Sequence, residues 1–201
     1  MSMKLGYHPL AIRYALLSAH YRQPLNFTFE SLKAATQAVQ RLNDFYMDLQ
    51  FIFEEQLPES DHLSEIFTLT EELSKKFQEA LDDDLHIPNA LSHIFNFINY
   101  FNSRFGEGYL RRAKIGAPDV EHVIRVFDGI NQVLAVILGA PPLDPEVESL
   151  LLERKEKRRQ KNWKDSDAIR TLLRDAYAIS VEDRPTGQKW KYLFSRNIKN
   201  Y

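Results

Sequence analysis

The sequence predicts a mainly α fold: an antiparallel helical bundle over residues 7–138, then a small α+β module over 145–194 that closes in a C-terminal hairpin. Three observations predict it. Apolar residues recur every three or four positions through the first two-thirds of the chain; a proline-rich step interrupts that pattern at 139–144; and only near the C-terminus does a period of two appear. From His8 to Arg22, Leu10, Ile12, Ala15, Leu16 and Ala19 mostly share one helical face, and Pro24 ends the run. Thr28 is an expected N-cap for a longer helix, with Glu30 in its first turn. Leu32, Ala35, Val39, Leu42, Phe45, Leu49 and Ile52 then form a continuous stripe up to Pro58. Further helices are expected over about Leu63–Leu81, from near Pro88 to the break at Gly106 and Gly108, and over about Val120–Leu138. The string GAPPLDPE, 139–146, holds three prolines that no helix or strand interior tolerates, and it marks the boundary. Beyond it, helices are expected over Pro145–Gln160 and Lys164–Ala176. Ile179 and Val181 then alternate with Ser180 and Glu182 as a strand. Arg184 to Gly187 supply a turn, Gln188–Phe194 returns, and 195–201 forms a tail without apolar pattern.

Composition narrows the chemistry. An apolar fraction of 44% over 201 residues suffices for a packed core. The absence of cysteine excludes disulfides, thiolate zinc sites and a cysteine nucleophile, and a soluble cytoplasmic chain is expected, with no membrane partner. With 26 basic against 28 acidic side chains the net charge argues for no partner, so the distribution of charge matters. One segment stands out: in RKEKRRQKNWK, Arg154, Lys155, Lys157, Arg158, Arg159, Lys161 and Lys164 are opposed only by Glu156, and Trp163 lies among them. A basic stripe can follow a phosphate backbone, and an exposed indole gives an unpaired base a flat stacking surface. The same pattern also describes a solvated helix face with the tryptophan plugged into the core.

Other clusters read as structural. Asp82, Asp83 and Asp84 lack the glycine-punctuated spacing of a calcium loop, and helix initiation before Pro88 explains them better. His20, His62, His86, His93 and His122 show no zinc-hydrolase spacing, and no phosphate loop, nucleophile elbow or dinucleotide fingerprint occurs. No catalytic and no metal-binding residue is therefore assigned.

Longer strings carry a resemblance. HPLAIRYALLSAHYRQPLNFT, 8–28, resembles a segment of cysteinyl-tRNA synthetases in which a helix leads into a serine-alanine-histidine-tyrosine-arginine stretch and a proline-leucine-asparagine loop. ALDDDLHIPNAL, 80–91, is similar to the family's triple-aspartate segment, departing from it at Leu81, Leu85, His86 and Ile87. RRQKNWKDSDAIRTLLRDAYAISVEDRPTGQKW, 158–190, resembles the family's C-terminal pattern of basic residues, tryptophan, an acidic step and a closing valine-glutamate-aspartate. The resemblance covers most of Tyr7–Trp190 and implies a helical anticodon-binding domain of the class I synthetase type, followed by a module that approaches the anticodon loop. It implies tRNA(Cys) as partner, together with a catalytic domain of the same polypeptide that would carry the ATP and zinc sites. Carried over by position, it places Arg158, Trp163, Asp167 and Asp183 among residues that contact anticodon bases. The ATP motifs and zinc-binding cysteines of the parent enzyme have no counterpart here, so the chain alone is expected to bind tRNA and to catalyse nothing. MSMKLG at 1–6 echoes the family's MSKSLG and is read as a fragment start or a coincidence. Two rivals stand beside this reading. A fragment of a ligase joining cysteine to an amino sugar would have no use for an anticodon module. A protein-interaction adaptor would need Phe95, Phe97, Phe101 and Phe105 to form an exposed face.

Overall fold

A computed structural model describes residues 7–56, 58, 60–106, 115–139, 142–184 and 187–194. The echo at 1–6, Gly108, Pro185, Thr186 and the tail at 195–201 lie outside the described residues. The architecture is mainly helical with one two-stranded antiparallel sheet: α1 (Pro9–Leu17), α2 (Phe29–Glu54), α3 (Leu63–Asp82), α4 (Ile87–Phe105), α5 (Ala117–Leu134), α6 (Pro145–Arg159), α7 (Trp163–Tyr177), β1 (Ile179–Arg184) and β2 (Gly187–Tyr192). The chain divides into two compact units, Leu10–Gly139 on one side and Met1–Pro9 with Ala140–Tyr201 on the other. Among the described residues no helix is long and apolar enough to cross a membrane.

In the 10–139 unit the expected stripes become the core. Leu42, Phe45 and Leu49 of α2, Ile66 and Leu73 of α3, Ile94, Ile98 and Phe101 of α4, and Val123 and Phe127 of α5 are buried together. Phe97, Phe101 and Phe105 are buried and Phe95 packs against them, so the aromatic face an adaptor would need is core. Thr28 caps α2 through a reciprocal pair with Ser31, which satisfies two end donors at once.

Three boundaries differ from expectation. Helix α1 stops at Leu17 instead of Arg22, because Tyr21 and Arg22 are drawn to another part of the unit: both donate to Asp84. Asp84 itself does not initiate α4. Its backbone is left-handed (φ 53°), and the N-cap is His86, whose Nδ1 accepts from the Asn89 amide at 3.1 Å. Helix α5 begins a turn early, where the buried Asp119 accepts from the Gly116 amide at 2.6 Å, and it ends at Leu134 instead of Leu138. Val136–Leu138 stay apolar but lie outside the helix, since two side chains replace the helical ladder. Asn131 accepts from the amides of Val136 and Ile137, and Asn43 accepts from the amide of Leu138.

The smaller unit packs α6 and α7 against the hairpin. Val147 and Leu151 of α6, Ile169 and Leu173 of α7, and Ile179, Val181 and Tyr192 of the strands are buried. His8 is buried in the same unit, its ring edge-on to Phe194 with centroids 4.8 Å apart, and burial lowers its pKa. Cross-strand partners run from Ile179 opposite Tyr192 to Arg184 opposite Gly187, which places Asp183 opposite Gln188.

Candidate nucleic-acid interface

Helix α6 starts on Asp144, whose carboxylate accepts from the Glu146 amide, and carries Lys157, Arg158 and Arg159 in its last turn, where cations face the negative end of the helix dipole. It ends in a Schellman motif. The amide of Asn162 donates to the Lys157 carbonyl and that of Lys161 to the Arg158 carbonyl, both at 2.9 Å, with Lys161 left-handed at φ 59°. Asn162 then caps α7, accepting from the Asp165 amide. This tight turn makes Trp163 the first residue of α7 and sets it beside the end of α6.

The resulting geometry decides what the basic stripe is. Trp163 is 53% exposed, so the tryptophan is not plugged into the core. The guanidinium of Arg158 lies over its ring, 5.1 Å from the centroid, a cation–π arrangement. Lys155, Glu156, Arg159 and Leu152 join these two around an open depression of about 550 Å³. Arg158 also reaches Asp183, with Nε 3.1 Å from Oδ1. Asp167, one turn beyond Trp163 and so on the same face of α7, is exposed and pairs with Arg170 at 3.1 Å. Cation and carboxylate, donor and acceptor, thus surround one flat aromatic surface.

Not every basic residue of the stripe reaches that surface. Arg154 is a correction: its side chain is 0% exposed and cannot follow a phosphate backbone. Its guanidinium donates to both oxygens of Asp183, Nη1 to Oδ1 at 2.8 Å and Nη2 to Oδ2 at 2.7 Å, and Nη1 also donates to Gln188 Oε1 at 2.9 Å. Gln188 donates in turn to the Leu151 carbonyl at 2.6 Å. Basic residues at 154, 155, 157, 158 and 159 follow one another too closely to share one face of α6, so the run wraps the helix and its interior face takes Arg154. Lys157 is occupied by Asp165 at 3.5 Å and Arg159 by Glu156 at 2.8 Å, whereas Lys155 and Lys161 project to solvent.

Hydrogen bonding from Arg154, reinforced by the charges of Arg158 and Arg170, holds the Asp183 carboxyl below its ordinary pKa of 3.8. The folded carboxyl binds its proton less readily than the unfolded one. The stabilisation is therefore complete above that ordinary value and is lost as pH falls through the lower folded one. Two residues of the site escaped the sequence reading. Gln188 follows from hairpin register, which needs the turn to be placed to the residue; Arg170 follows from its i, i+3 spacing to Asp167.

Comparison with known families meets this geometry. Residues 140–190 match the model of the cysteinyl-tRNA ligase anticodon binding domain, and residues 76–137 match the DALR domain. The chain is similar to proteins named cysteine–tRNA ligase from Chlamydia caviae (37% identical over 191 residues, 94% of this chain), Chlamydia abortus (38% over 189 residues, 92%) and Bacillus licheniformis (34% over 184 residues, 91%). In each case it spans 38% of the relative's length. With both domain models in consecutive order and such identity along nearly all its residues, the chain belongs to the cysteinyl-tRNA ligase anticodon-binding family.

Proposed function

We propose that this chain recognises tRNA(Cys) through its anticodon stem-loop, serving an aminoacylation carried out by a catalytic domain that corresponds to the remainder of the relatives' length. The observation that carries this reading is the exposed Trp163 under the Arg158 guanidinium, beside the ionised Asp183, inside the stretch matched by the anticodon-binding model. Bases of a single-stranded loop can be splayed onto an aromatic face and read along their edges. Carboxylates accept from exocyclic amino groups, and a guanidinium donates to carbonyl and ring-nitrogen acceptors. Asp167 and Asp183 serve the first purpose and Arg158 the second, while Lys155, Arg159 and Lys161 face the phosphates. A chain with no cysteine offers no thiolate to zinc, so zinc and ATP are assigned to the catalytic domain.

The salt dependence of tRNA binding tests the electrostatic half of this reading. Replacing Lys155, Arg159 and Lys161 together by glutamine is expected to reduce the slope of log K against log salt by about 2 to 3, since each phosphate contact contributes roughly 0.7 to 0.9. Lys157 is left intact because its side chain is largely covered and paired with Asp165, whereas that of Arg159 stays 78% exposed beside Glu156. A slope unchanged by the triple substitution contradicts the assigned phosphate path.

A further inference from the structure

We infer that Arg154, although it touches no RNA, is a positioning residue that determines which base edge the site accepts. The inference rests on the anticodon reading above and deepens it. The Arg154 fork spends one lone pair on each Asp183 oxygen, and Arg158 closes on Oδ1 at 3.1 Å. Oδ2, with one cationic contact against two on Oδ1, is the less encumbered acceptor. Arg158 approaches Asp183 with Nε, and its two terminal amino groups are further donors alongside. The pair thus presents one acceptor next to a donor fork. Cytosine and adenine offer the complement, one amino group beside a ring-nitrogen acceptor, whereas uracil and hypoxanthine put a carbonyl where the amino group stood.

Why a buried guanidinium is needed follows from where Asp183 sits. It lies one residue from the end of β1, next to the turn, where a free side chain would sample several rotamers. Arg154 removes that freedom by gripping both oxygens from α6, and its own position is held by Gln188, the cross-strand partner of Asp183. Gln188 is anchored in turn on the Leu151 carbonyl of α6. One closed circuit therefore links a helix to both strands and fixes a carboxylate whose side chain stays 32% exposed. Its charge is maintained by the same contact, which disfavours the protonated form.

The experiment compares binding of the whole chain to three stem-loops by fluorescence anisotropy. One carries GCA, one has its cytosine replaced by uridine, and one has its adenosine replaced by inosine. The wild type is expected to lose about tenfold or more in affinity on at least one of the altered loops. R154K keeps the charge but not the fork, and Q188E offers Arg154 a competing carboxylate; each is expected to bring that ratio to within about twofold while thermal melting shows a folded protein. Trp163→Ala, which removes the stacking surface, is expected to weaken all three loops. If R154K does not fold, Q188E alone decides. A folded R154K or Q188E that keeps the wild-type ratio, while Asp183→Asn abolishes it, overturns the positioning role and leaves the anticodon reading standing. A wild type that binds none of the loops, or binds all three alike, overturns the inference, and failure to bind any loop overturns the anticodon reading with it.

Discussion

Phe127→Ala is expected to destabilise the 10–139 unit by about 3 to 5 kcal/mol, the usual cost of truncating a buried phenylalanine that its neighbours cannot follow. The ring is fully buried where α2, α4 and α5 meet. Its centroid lies 5.1 Å from that of Phe45 and 5.8 Å from that of Phe97, and Phe45 is edge-on to Phe101 at 5.6 Å. Two rings on two other helices bound the space, each held by its own packing, so collapse into the gap would require whole helices to shift. Urea unfolding followed by far-ultraviolet circular dichroism measures the loss. A loss below about 1 kcal/mol would show that the centre of the core lies elsewhere.

Asp183→Ala is expected to cost the smaller unit about 3 kcal/mol, by a different mechanism. Removing the carboxylate leaves the Arg154 guanidinium fully buried with only Gln188 to answer it. Stranding a buried charge costs far more than the intact pair contributes. Asp183→Asn retains an acceptor and is expected to cost less. Melting curves of the two variants provide the check, and equal, small losses would mean that Arg154 escapes to solvent when its partner goes. The consequence for function is practical: weaker RNA binding by Asp183→Ala mixes lost base contact with lost structure. Asp167, exposed and paired only at the surface, does not have this ambiguity.

Much of the fold was legible because its signals are periodic. Seven helices follow the expected pattern among the described residues, and Thr28, Pro88 and Pro145 mark several of their starts. What escaped depends on contacts between residues distant in sequence. Tyr21 and Arg22 leave α1 for Asp84, 62 positions away from Arg22, and Asn43 captures Leu138 from 95 positions away. No local pattern contains such pairs. The site divides in the same way. A basic stripe with one tryptophan was visible, but which of its cations face outward was not, because one charge run spans both faces of α6. Arg154 turns inward on account of Asp183 and Gln188, which arrive from the hairpin. Resemblance supplied Arg158, Trp163, Asp167 and Asp183 as a set, and geometry joins them into one surface through the Schellman turn and Arg170.

Reading of an anticodon by this surface, as opposed to mere attraction of RNA, is put to the test by titrating the wild type and Asp167→Ala with two stem-loops at one fixed salt concentration. One loop carries GCA and the other an unrelated triplet on the same stem. Phosphate contacts are common to both, so only base-edge contacts separate them. The wild type is expected to prefer the GCA loop by about tenfold or more, and Asp167→Ala to lose about 1 to 3 kcal/mol on that loop and much less on the other. Equal affinity of the wild type for both loops would contradict that reading.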